Sequence, residues 1–478
     1  MTSSRNVLGG RGLKGSRAGS GYLLVLIGVF ALLAVVSVFL RFFDHDEFEH
    51  IHSAWYVSRG FVPYGDFFQG HHPLLWYLLA PLILLFGENV STVLILRLPM
   101  LLLSGGSVFL VYAITRRITR SYETGLLAAL LVASSVLFVE KGIEVRPDVP
   151  QTFLGLFSFA LFLRFILERR IVFLAGSGLL LGLSFVFLQK AVFLLLAFGV
   201  ALLVQMVRRR VTWIQVAIFS GSFSIPTAVF LLTVVLGSRW DDYLVSNWLV
   251  QLQLGRSFSP HFTLMGLAAE NTGFWILLLW AIPVILCRKG RDQSLRLTFF
   301  FGLFLLAATA LIKLPYKQNF LLPVSFLAVP CAVLLKVLFL RLSLKAEGKS
   351  RLVLAVVAIP MLILTVMATF SSRPQLAKVE YVLSRSRPWD RIYDGDIRFN
   401  LFRRDLHYFW YCLGPGKERD THKRLTGGRF ADFVPEEWVR ELRPRFISNR
   451  GLDLNAPELS CWYKPSPFEN LYERIERD

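Results

Sequence analysis

The feature that most constrains this chain of 478 residues is a series of long apolar runs. Only helices and closed barrels satisfy every backbone hydrogen bond inside a bilayer, and about 20 apolar residues match the length of one membrane-spanning helix. The runs fall at residues 21–40, 91–115, 124–139, 150–167, 171–188, 191–207, 211–237, 271–287, 297–312, 319–340 and 352–370. With 54% hydrophobic and 18% charged residues, the chain is predicted to be a polytopic α-helical membrane protein with about 11 transmembrane helices.

The basic residues predict the orientation of the chain in the membrane. They cluster before the first run and then in every second loop, at Arg5, Arg11, Lys14 and Arg17, at Arg116, Arg117 and Arg120, at Arg169 and Arg170, at residues 208–210, 288–296 and 341–351. The positive-inside rule places these loops in the cytoplasm, including a basic N-terminus at residues 1–20. The first run is too long for a signal-peptide core and lacks a following cleavage site, so we expect it to be retained.

The remaining loops, at residues 42–90, 140–149, 238–270 and 313–318, are then predicted to lie outside together with the tail. We therefore expect an integral protein of the plasma membrane, the inner membrane in a bacterium, with its N-terminus in the cytoplasm. Most of the net charge of +19 lies in the cytoplasmic loops. Anionic lipid headgroups are the only partner that this charge implies, and nucleic acid is not expected.

Two segments complete the predicted architecture. Residues 74–86 are apolar but short and contain Pro81, which favours an interfacial or re-entrant helix over a span. The membrane domain is expected at residues 21–371 and a small extramembrane α/β domain at residues 372–478. In that domain, residues 390–394 and 445–448 resemble strands and residues 435–442 a helix. Cys412 and Cys461 both belong to it, and whether they pair stays open.

The first outer loop, residues 42–90, concentrates acidic side chains. Asp44, Asp46, Glu47 and Glu49 fall within six residues, so repulsion and burial should raise at least one pKa and produce a candidate general base. A solvated acidic loop is the simpler interpretation. Against it, Phe48, Ile51, Trp55 and Tyr56 recur at helical spacing, so that one face of this segment should pack on the membrane domain.

Histidines raise the question of a metal ion. Five of them share this loop, namely His45, His50, His52, His71 and His72. Imidazoles and carboxylates suit Zn²⁺ or Mn²⁺, but the spacing matches no standard ligand motif, and ordinary polar packing is favoured. No cofactor is predicted with certainty, and a divalent metal ion stays open.

The second outer loop carries Glu140, Lys141, Glu144, Arg146 and Asp148 between two apolar runs. An interfacial salt-bridge cluster is the simpler interpretation. Because this loop should face the same side as the first, the two loops could also form one site. Further cations stand at the outer ends of later runs, at Lys190, Lys313, Lys317 and Arg256 with His261. Each lysine alone is expected to snorkel to headgroups, whereas together they could bind a phosphate.

Six short motifs carry a resemblance to a known family. They are the D-E pair at Asp46 and Glu47, G-x-x-P-Y-G-D at residues 60–66, H-H-P-L at 71–74, R-L-P at 97–99, E-x-R-P-D-x-P at 144–150 and P-Y-x-Q at 315–318. In this order the chain resembles the GT-C class of membrane glycosyltransferases, and within it the dolichyl-phosphate-mannose protein mannosyltransferase-like family, which includes aminoarabinose transferases of lipid A. The usual H-P-P of the family is His72, Pro73 and Leu74 here.

The resemblance implies an inverting hexosyl or pentosyl transferase with a polyprenyl-phosphate-linked sugar donor. It implies an acid of the D-E pair as the catalytic base, Asp46 or Glu47, with Asp46 preferred. Together with the two outer loops it implies donor or acceptor binding by Asp44, Tyr64, Asp66, His71, His72, Arg97, Glu144, Arg146, Asp148, Lys190, Arg256, Tyr316 and Lys317. The sugar stays open, as does the acceptor, which is a glycan, a lipid or a protein.

Two other classes compete with this interpretation. A secondary transporter would place ionisable residues near the middle of the membrane in corresponding halves of the chain. Here they gather at the outer ends of the runs, and no halves are evident. A non-catalytic lipid-binding or scaffold protein would explain the topology but not the convergence of acidic loops. The sequence therefore favours the glycosyltransferase.

Overall fold

The protein is helical along most of its length. The computed structural model describes residues 20–253, 260–287, 293–312, 315–410, 418–428, 430 and 433–475. Within those residues, eight helices have the length and apolarity to cross a membrane, and a ninth candidate is bent by 104° at a break between His261–Glu270 and Thr272–Leu286. The eight are Gly21–Leu40, Val90–Thr119, Asp148–Glu168, Gln189–Val207, Trp213–Leu236, Gln293–Leu311, Lys317–Arg341 and Ala346–Met367.

The predicted polytopic helical architecture is confirmed, while the number of spans is only approximate. Two of the predicted runs form apolar helices that are shorter than a span, Tyr122–Ala133 and Ile171–Phe187. The first is short because its run breaks at Ser135, which caps a separate helix, Val136–Lys141, by accepting a hydrogen bond from the Phe138 amide. Leu74–Phe86 forms a 13-residue helix containing Pro81, as the sequence predicted for a segment too short to cross.

An amphipathic segment follows the first span directly. His45–Ser58 forms a helix, here called the acidic helix, that begins at Asp44 with a capping box in which Glu47 also takes part. Its residues from Glu47 to Tyr56 are buried. The predicted packing of its aromatic face is therefore confirmed. A connection at residues 60–73, the PYGD loop, leads from this helix to Leu74–Phe86, and Trp76 Nε1 donates to His50 Nδ1 at 3.2 Å.

The remaining helices before residue 372 are short. Trp240–Leu244 leads into a π-helical turn at Val245–Leu249, which continues as Val250–Gln253. Gln189–Ala191 and Lys317–Phe320 are 3₁₀ turns at the ends of spans. These turns hold Lys190 and Lys317 where spans begin, as their positions in the sequence predicted.

The segment after residue 372 contains both helices and strands. Its helices are Arg373–Ser384, Glu418–Thr426, Pro435–Leu442 and Pro457–Ser460. Four short strands, Ile392–Tyr393, Phe446–Ile447, Tyr463–Pro465 and Tyr472–Arg474, form one sheet in the order first, second, fourth, third. The first two strands pair in parallel and the others antiparallel. The two predicted strands and the predicted helix are thus present.

The C-terminal segment packs on the acidic helix. His52 lies between the Leu401 carbonyl at 3.0 Å and the Asp405 carboxylate at 2.5 Å, and Tyr56 donates to the same carboxylate at 2.8 Å. At the first span, the Ser372 amide donates to the Leu40 carbonyl at 2.8 Å. The tail therefore starts at the same end of the helix bundle as the acidic helix.

Candidate active site

Asp46 lies in the first turn of the acidic helix and is the most exposed of its four acids. Its side chain is 26% exposed and forms an ion pair with Arg146, and His45 Nε2 lies 2.9 Å from its other oxygen. Burial would raise the pKa of Asp46, but the Arg146 guanidinium and the His45 hydrogen bond outweigh it and hold that pKa well below its usual range. The carboxylate is therefore ionised and oriented at neutral pH.

Asp44 and the second outer loop form the surrounding charge network. Lys141 Nζ donates to Asp44 and to Glu144, each at 2.9 Å. Arg41 also donates to Glu144 at 2.9 Å, and Arg146 reaches Asp148 at 3.9 Å. Burial would raise the pKa of Asp44, but the nearby charge of Lys141 outweighs burial, and the pKa is lowered. The predicted convergence of the two loops is thus present as direct contacts between side chains.

Glu47 lies beside Asp46 in the sequence but in different surroundings. It is fully buried, and both of its oxygens accept from Arg97, at 2.6 and 2.8 Å. Arg97 is equally buried and also donates to the carbonyls of Val38, Arg41 and Phe42 at 2.9 to 3.1 Å. A substrate cannot reach such a pair without rearrangement. The geometry therefore favours a structural role for Glu47 and Arg97 over the predicted catalytic and binding roles.

Glu49 lies one turn beyond Asp46 and is buried. Its Oε1 accepts from Gln69 Nε2 at 2.9 Å, and the same amide donates to Ser53 at 2.8 Å. Burial, and then the charge of Asp46, raise the pKa of Glu49 to about 8. The expected raised pKa is therefore found at Glu49, which favours its protonated form at neutral pH and makes it a poorer proton acceptor there than Asp46.

The histidines do not converge on a metal ion. His52 is held by the C-terminal segment, and His72 lies between the Phe185 carbonyl at 2.6 Å and the Tyr243 hydroxyl at 3.0 Å. Burial lowers the pKa of His50 to about 3 and that of His72 to about 4. In the part of the chain that the structure describes, the group whose ligand atoms lie close enough for a metal is Asp44, His45 and Asp46. Lys141 and Arg146 already neutralise its two carboxylates, which disfavours a cation.

The PYGD loop brings further predicted residues near the acidic helix. Tyr64 has a left-handed backbone with φ 68° and donates its hydroxyl proton to the His71 carbonyl at 2.7 Å. The His71 ring lies 5.4 Å from that of His50, and among the described residues its buried Nδ1 has no hydrogen-bond partner. Asp66 points away, because it is exposed and accepts from the Val62 amide at 2.7 Å.

Lys190 lies at the head of a groove between membrane helices. Its Nζ donates to Asn319 Oδ1 at 2.8 Å, and it interacts electrostatically with Asp148, Arg146 and Asp46. The groove combines these polar groups with apolar side chains and is lined by Asp148, Gln151, Leu188, Lys190, Phe193, Leu194, Leu305, Thr309, Ile312, Asn319, Leu322 and Pro323. Its composition suits a phosphate attached to a hydrocarbon chain.

Lys317 joins the edge of the charge network. It forms ion pairs with Glu140 and Glu270, and Glu140 also lies 3.6 Å from Arg41. The neighbouring Tyr316 is 43% exposed. Arg256 and Lys313 lie outside the described residues. The structure adds Gln69, Asn319 and Gln151, which sequence reasoning missed. The only sequence feature that pointed to them was their position shortly after a motif: Gln69 follows P-Y-G-D, Asn319 follows P-Y-x-Q and Gln151 follows the motif that contains R-P-D.

Comparisons with known proteins bear on the fold. Residues 70–236 match the family model described as dolichyl-phosphate-mannose-protein mannosyltransferase, whereas no curated protein matches the chain. The crystal structure of ArnT from Cupriavidus metallidurans in the apo state is similar with a TM-score of 0.61 at 13% identity, covering 91% of this chain and 92% of that one. The same protein bound to undecaprenyl phosphate gives 0.60 at 14%, covering 85% and 88%.

A third similar structure is the oligosaccharyltransferase of Archaeoglobus fulgidus in the apo form. Its TM-score is 0.53 at 13% identity, and the match covers 92% of this chain and 72% of that one. The fold is therefore that of the GT-C membrane glycosyltransferases. The match over residues 70–236 agrees with the predicted resemblance to the dolichyl-phosphate-mannose protein mannosyltransferase-like family.

Proposed function

We propose that this protein transfers a sugar from a polyprenyl-phosphate-linked donor to an acceptor hydroxyl at the outer face of the membrane. One observation carries the proposal. An ionised, partly exposed carboxylate, Asp46, lies in the same charge network as Lys190, and Lys190 heads a groove that continues between apolar side chains of membrane helices. A base for the acceptor and a cradle for a lipid-linked phosphate are the two parts that this reaction needs.

Asp46 acts as the general base. Its carboxylate takes the proton of the acceptor hydroxyl while that oxygen forms a bond to the anomeric carbon of the sugar. Attack opposite to the leaving phosphate inverts the anomeric centre. Of the neighbouring acids, Glu47 is fully buried against Arg97, and burial raises the pKa of Glu49 to about 8. Asp44 is less exposed than Asp46, caps the acidic helix and binds Lys141. We therefore assign the role to Asp46, the more exposed of the two acids with a lowered pKa.

Lys190 stabilises the leaving group. The bond between the anomeric carbon and the phosphate oxygen breaks, and its electron pair stays on the polyprenyl phosphate. A cation that is screened from bulk water stabilises this developing charge more than an exposed one would. Arg146, which is already bound to Asp46, lies in the same network and orients the base relative to the phosphate.

The apolar part of the groove below Lys190 is the site that we assign to the lipid chain. Phe193, Leu194, Leu305 and Leu322 continue from the polar head of the groove along membrane helices, and hydrocarbon is the ligand that such side chains favour. The similar ArnT structure is described as bound to undecaprenyl phosphate, which supports a polyprenyl phosphate as the carrier here.

The orientation follows from the basic loops. The acidic helix and the start of the tail lie at the same end of the bundle. Along the chain, the arginine-rich loops alternate with the loops predicted to lie at that end. By the positive-inside rule the site and the C-terminal domain, residues 372–478, face out of the cytoplasm. The acceptor is then a glycan, lipid or protein of the cell envelope.

Donor titration tests the proposal. The purified full-length protein in nanodiscs is assayed with a short-chain polyprenyl-phosphate sugar. Lys190→Ala should raise the donor KM and lower kcat by at least about tenfold, whereas Lys190→Arg retains part of the activity because it keeps the charge. The matched control, Lys345→Ala, removes an exposed lysine and should change neither constant. Unchanged donor constants in Lys190→Ala would refute this phosphate site.

A further inference from the structure

A separate cavity of about 210 Å³ lies in the C-terminal segment. Its described walls come from the Glu418–Thr426 helix and from two aromatic stretches, and they comprise Phe409, Arg419, Asp420, His422, Lys423, Thr426, Phe430, Phe433 and Val434. None of these residues takes part in the Asp46 network or the Lys190 groove. The reaction proposed above therefore leaves this cavity without a role.

The walls combine aromatic rings with charged and hydroxyl groups. Phe430 stacks on Tyr408 with ring centroids 3.7 Å apart, and Phe433 stacks on His407 at 4.9 Å, so both rings are held in fixed orientations. Arg419 donates to the Phe433 carbonyl at 3.2 Å and lies 3.3 Å from Asp420. The cavity therefore offers rigid apolar surfaces beside both donors and acceptors of hydrogen bonds.

We propose that this cavity binds one sugar ring of the acceptor, so that the acceptor carries a glycan. Sugars present a C–H face, which packs on the negative face of an aromatic ring, and a rim of hydroxyls, which needs donors and acceptors. The charged side chains of Arg419, Asp420 and Lys423 in the wall favour a hydroxylated ligand over a lipid chain, because burying charges against hydrocarbon is costly. A volume below the roughly 300–1,000 Å³ of drug-sized ligand pockets fits a single ring better than a longer peptide.

The cavity is connected to the reaction centre through the PYGD loop. Phe409 in its wall contacts Phe68 with centroids 5.4 Å apart, and Trp410 Nε1 donates to the Phe68 carbonyl at 3.2 Å. The next residue, Gln69, binds Glu49 on the acidic helix, one turn from Asp46. A glycan held in the cavity is thus anchored on the loop that packs behind the proposed base.

The opposite wall is fixed as well. Arg424 of the Glu418–Thr426 helix donates to Gln253 at 3.1 Å, and Leu425 packs against Val245 and Val250. The helix that carries Arg419 and Lys423 is therefore attached to the segment that also holds Tyr243 against His72. Both walls of the cavity contact elements that surround the PYGD loop.

Binding of simple glycosides tests this inference. That the cavity binds a sugar does not depend on the proposed function, whereas calling this sugar part of the acceptor rests on the proposed transferase activity. The full-length protein in nanodiscs is mixed with methyl glycosides of glucose, galactose, mannose and N-acetylglucosamine, and saturation-transfer NMR detects those that bind. At least one should bind, and Phe430→Ala and Arg419→Ala should weaken it by at least about tenfold. Arg419→Ala covers the case in which Phe430→Ala fails to fold.

The controls separate this inference from the proposed reaction. Trp389→Ala removes an exposed aromatic ring of the same domain and should leave glycoside binding unchanged. Asp46→Asn should also retain binding, even though it removes the proposed base. If no glycoside binds the wild-type protein, or if binding survives both cavity substitutions, the inference is overturned. Normal donor turnover by Asp46→Asn would instead overturn the proposed base and leave the cavity unaffected.

Discussion

At the scale of single residues, surroundings rather than residue type distinguish the four acids at the start of the acidic helix. Asp44 caps the helix and binds Lys141, Glu47 is enclosed with Arg97, and Glu49 is buried against Gln69. Asp46 forms the closer ion pair with Arg146 and has the more exposed side chain, at 26% against 19% for Asp44. The four neighbouring carboxylates therefore differ in their partners and in their exposure.

The assignment of Asp46 predicts a specific loss of activity. Asp46→Asn keeps the shape of the side chain but removes its ability to accept a proton, so turnover of the donor should fall by ~10² or more. The measurement is single-turnover transfer from a short-chain polyprenyl-phosphate sugar by the purified variant. Asp390→Asn, in the C-terminal segment, is the matched control and should retain activity. Near-normal transfer by Asp46→Asn, with Asp44→Asn or Glu47→Gln inactive, would assign the role to a neighbour.

The raised pKa of Glu49 makes the stability of the fold depend on pH. Its folded pKa of about 8 lies above the unfolded value of roughly 4.3, so the folded state retains a proton that the unfolded state has lost. The stability that this retained proton contributes is complete at pH values below the unfolded pKa. It is lost progressively as the pH rises to the folded pKa of about 8. Glu49→Gln has no such proton to lose.

Thermal unfolding of the two proteins between pH 5 and 9 tests this expectation. The melting temperature of Glu49→Gln relative to wild type should increase with pH through the roughly neutral range and level off above the folded pKa. A difference that is independent of pH would show that Glu49 is ionised in the folded protein.

At the scale of elements, the Glu47–Arg97 pair joins four parts of the chain. Glu47 belongs to the acidic helix and accepts from the Val145 amide of the second outer loop. Arg97 lies in the Val90–Thr119 helix and binds carbonyls at the end of the first span. The Arg97 guanidinium also lies 3.5 Å from the centre of the Phe43 ring. This pair fixes the helix that carries Asp46 relative to the loop that carries Arg146.

Breaking this pair should destabilise the fold. Arg97→Ala leaves a buried carboxylate without its partner, which costs about 3–5 kcal/mol of unfolding free energy. Arg164→Ala is the matched control, because it removes an arginine paired with Glu168 near the surface, and should cost about 1 kcal/mol or less. Denaturant unfolding in detergent measures both. Equal effects of the two substitutions would argue against a structural role for the buried pair.

At the scale of the whole molecule, the C-terminal segment covers the acidic helix. Asp405 accepts from Tyr56 and from Asn400 and contacts His52, so the segment is joined to the site by buried polar contacts. The Ser372 amide joins the start of the tail to the end of the first span. The site and the C-terminal segment must therefore lie on the same side of the membrane.

This arrangement predicts the accessibility of the tail. A variant with Cys461 as its single cysteine should react with a membrane-impermeant maleimide in intact spheroplasts, because this side chain is exposed and the positive-inside rule places the tail outside. The matched control is a cysteine-free variant that carries Arg170→Cys, in a loop predicted to be cytoplasmic. Its cysteine should react only after lysis. Protection of Cys461 until lysis would invert the proposed orientation of the site.

The identity of the acceptor is testable at the same scale. Mass analysis of glycolipids and envelope glycans from a strain lacking this gene, compared with its parent, should show one species that lacks a single sugar. An acceptor that carries a glycan is expected from the cavity described above. Identical profiles would contradict transfer to an envelope glycolipid or polysaccharide.

The sequence by itself determined the membrane architecture. A run of about 20 apolar residues has one stable form in a bilayer, because the unpaired backbone groups of any other open structure would be too costly there. The predicted runs are accordingly helical, the strands at Ile392–Tyr393 and Phe446–Ile447 are present, and the motifs predicted a GT-C-like fold, which the similar structures share. Helical spacing also predicted that the aromatic side of the acidic helix packs, although residues 47–56 are in fact buried on every side of it.

Only the tertiary structure decided which partner each charged residue has. Asp46 and Glu47 are adjacent, yet Asp46 binds Arg146, 100 residues later, and Glu47 binds Arg97, 50 residues later. Successive residues of a helix point about 100° apart, so neighbours in sequence meet different elements. The pattern of a helix gives its faces, but the packing of distant segments decides what each face contacts. For that reason sequence could gather the site residues into two loops but could not separate the exposed acid from the buried one.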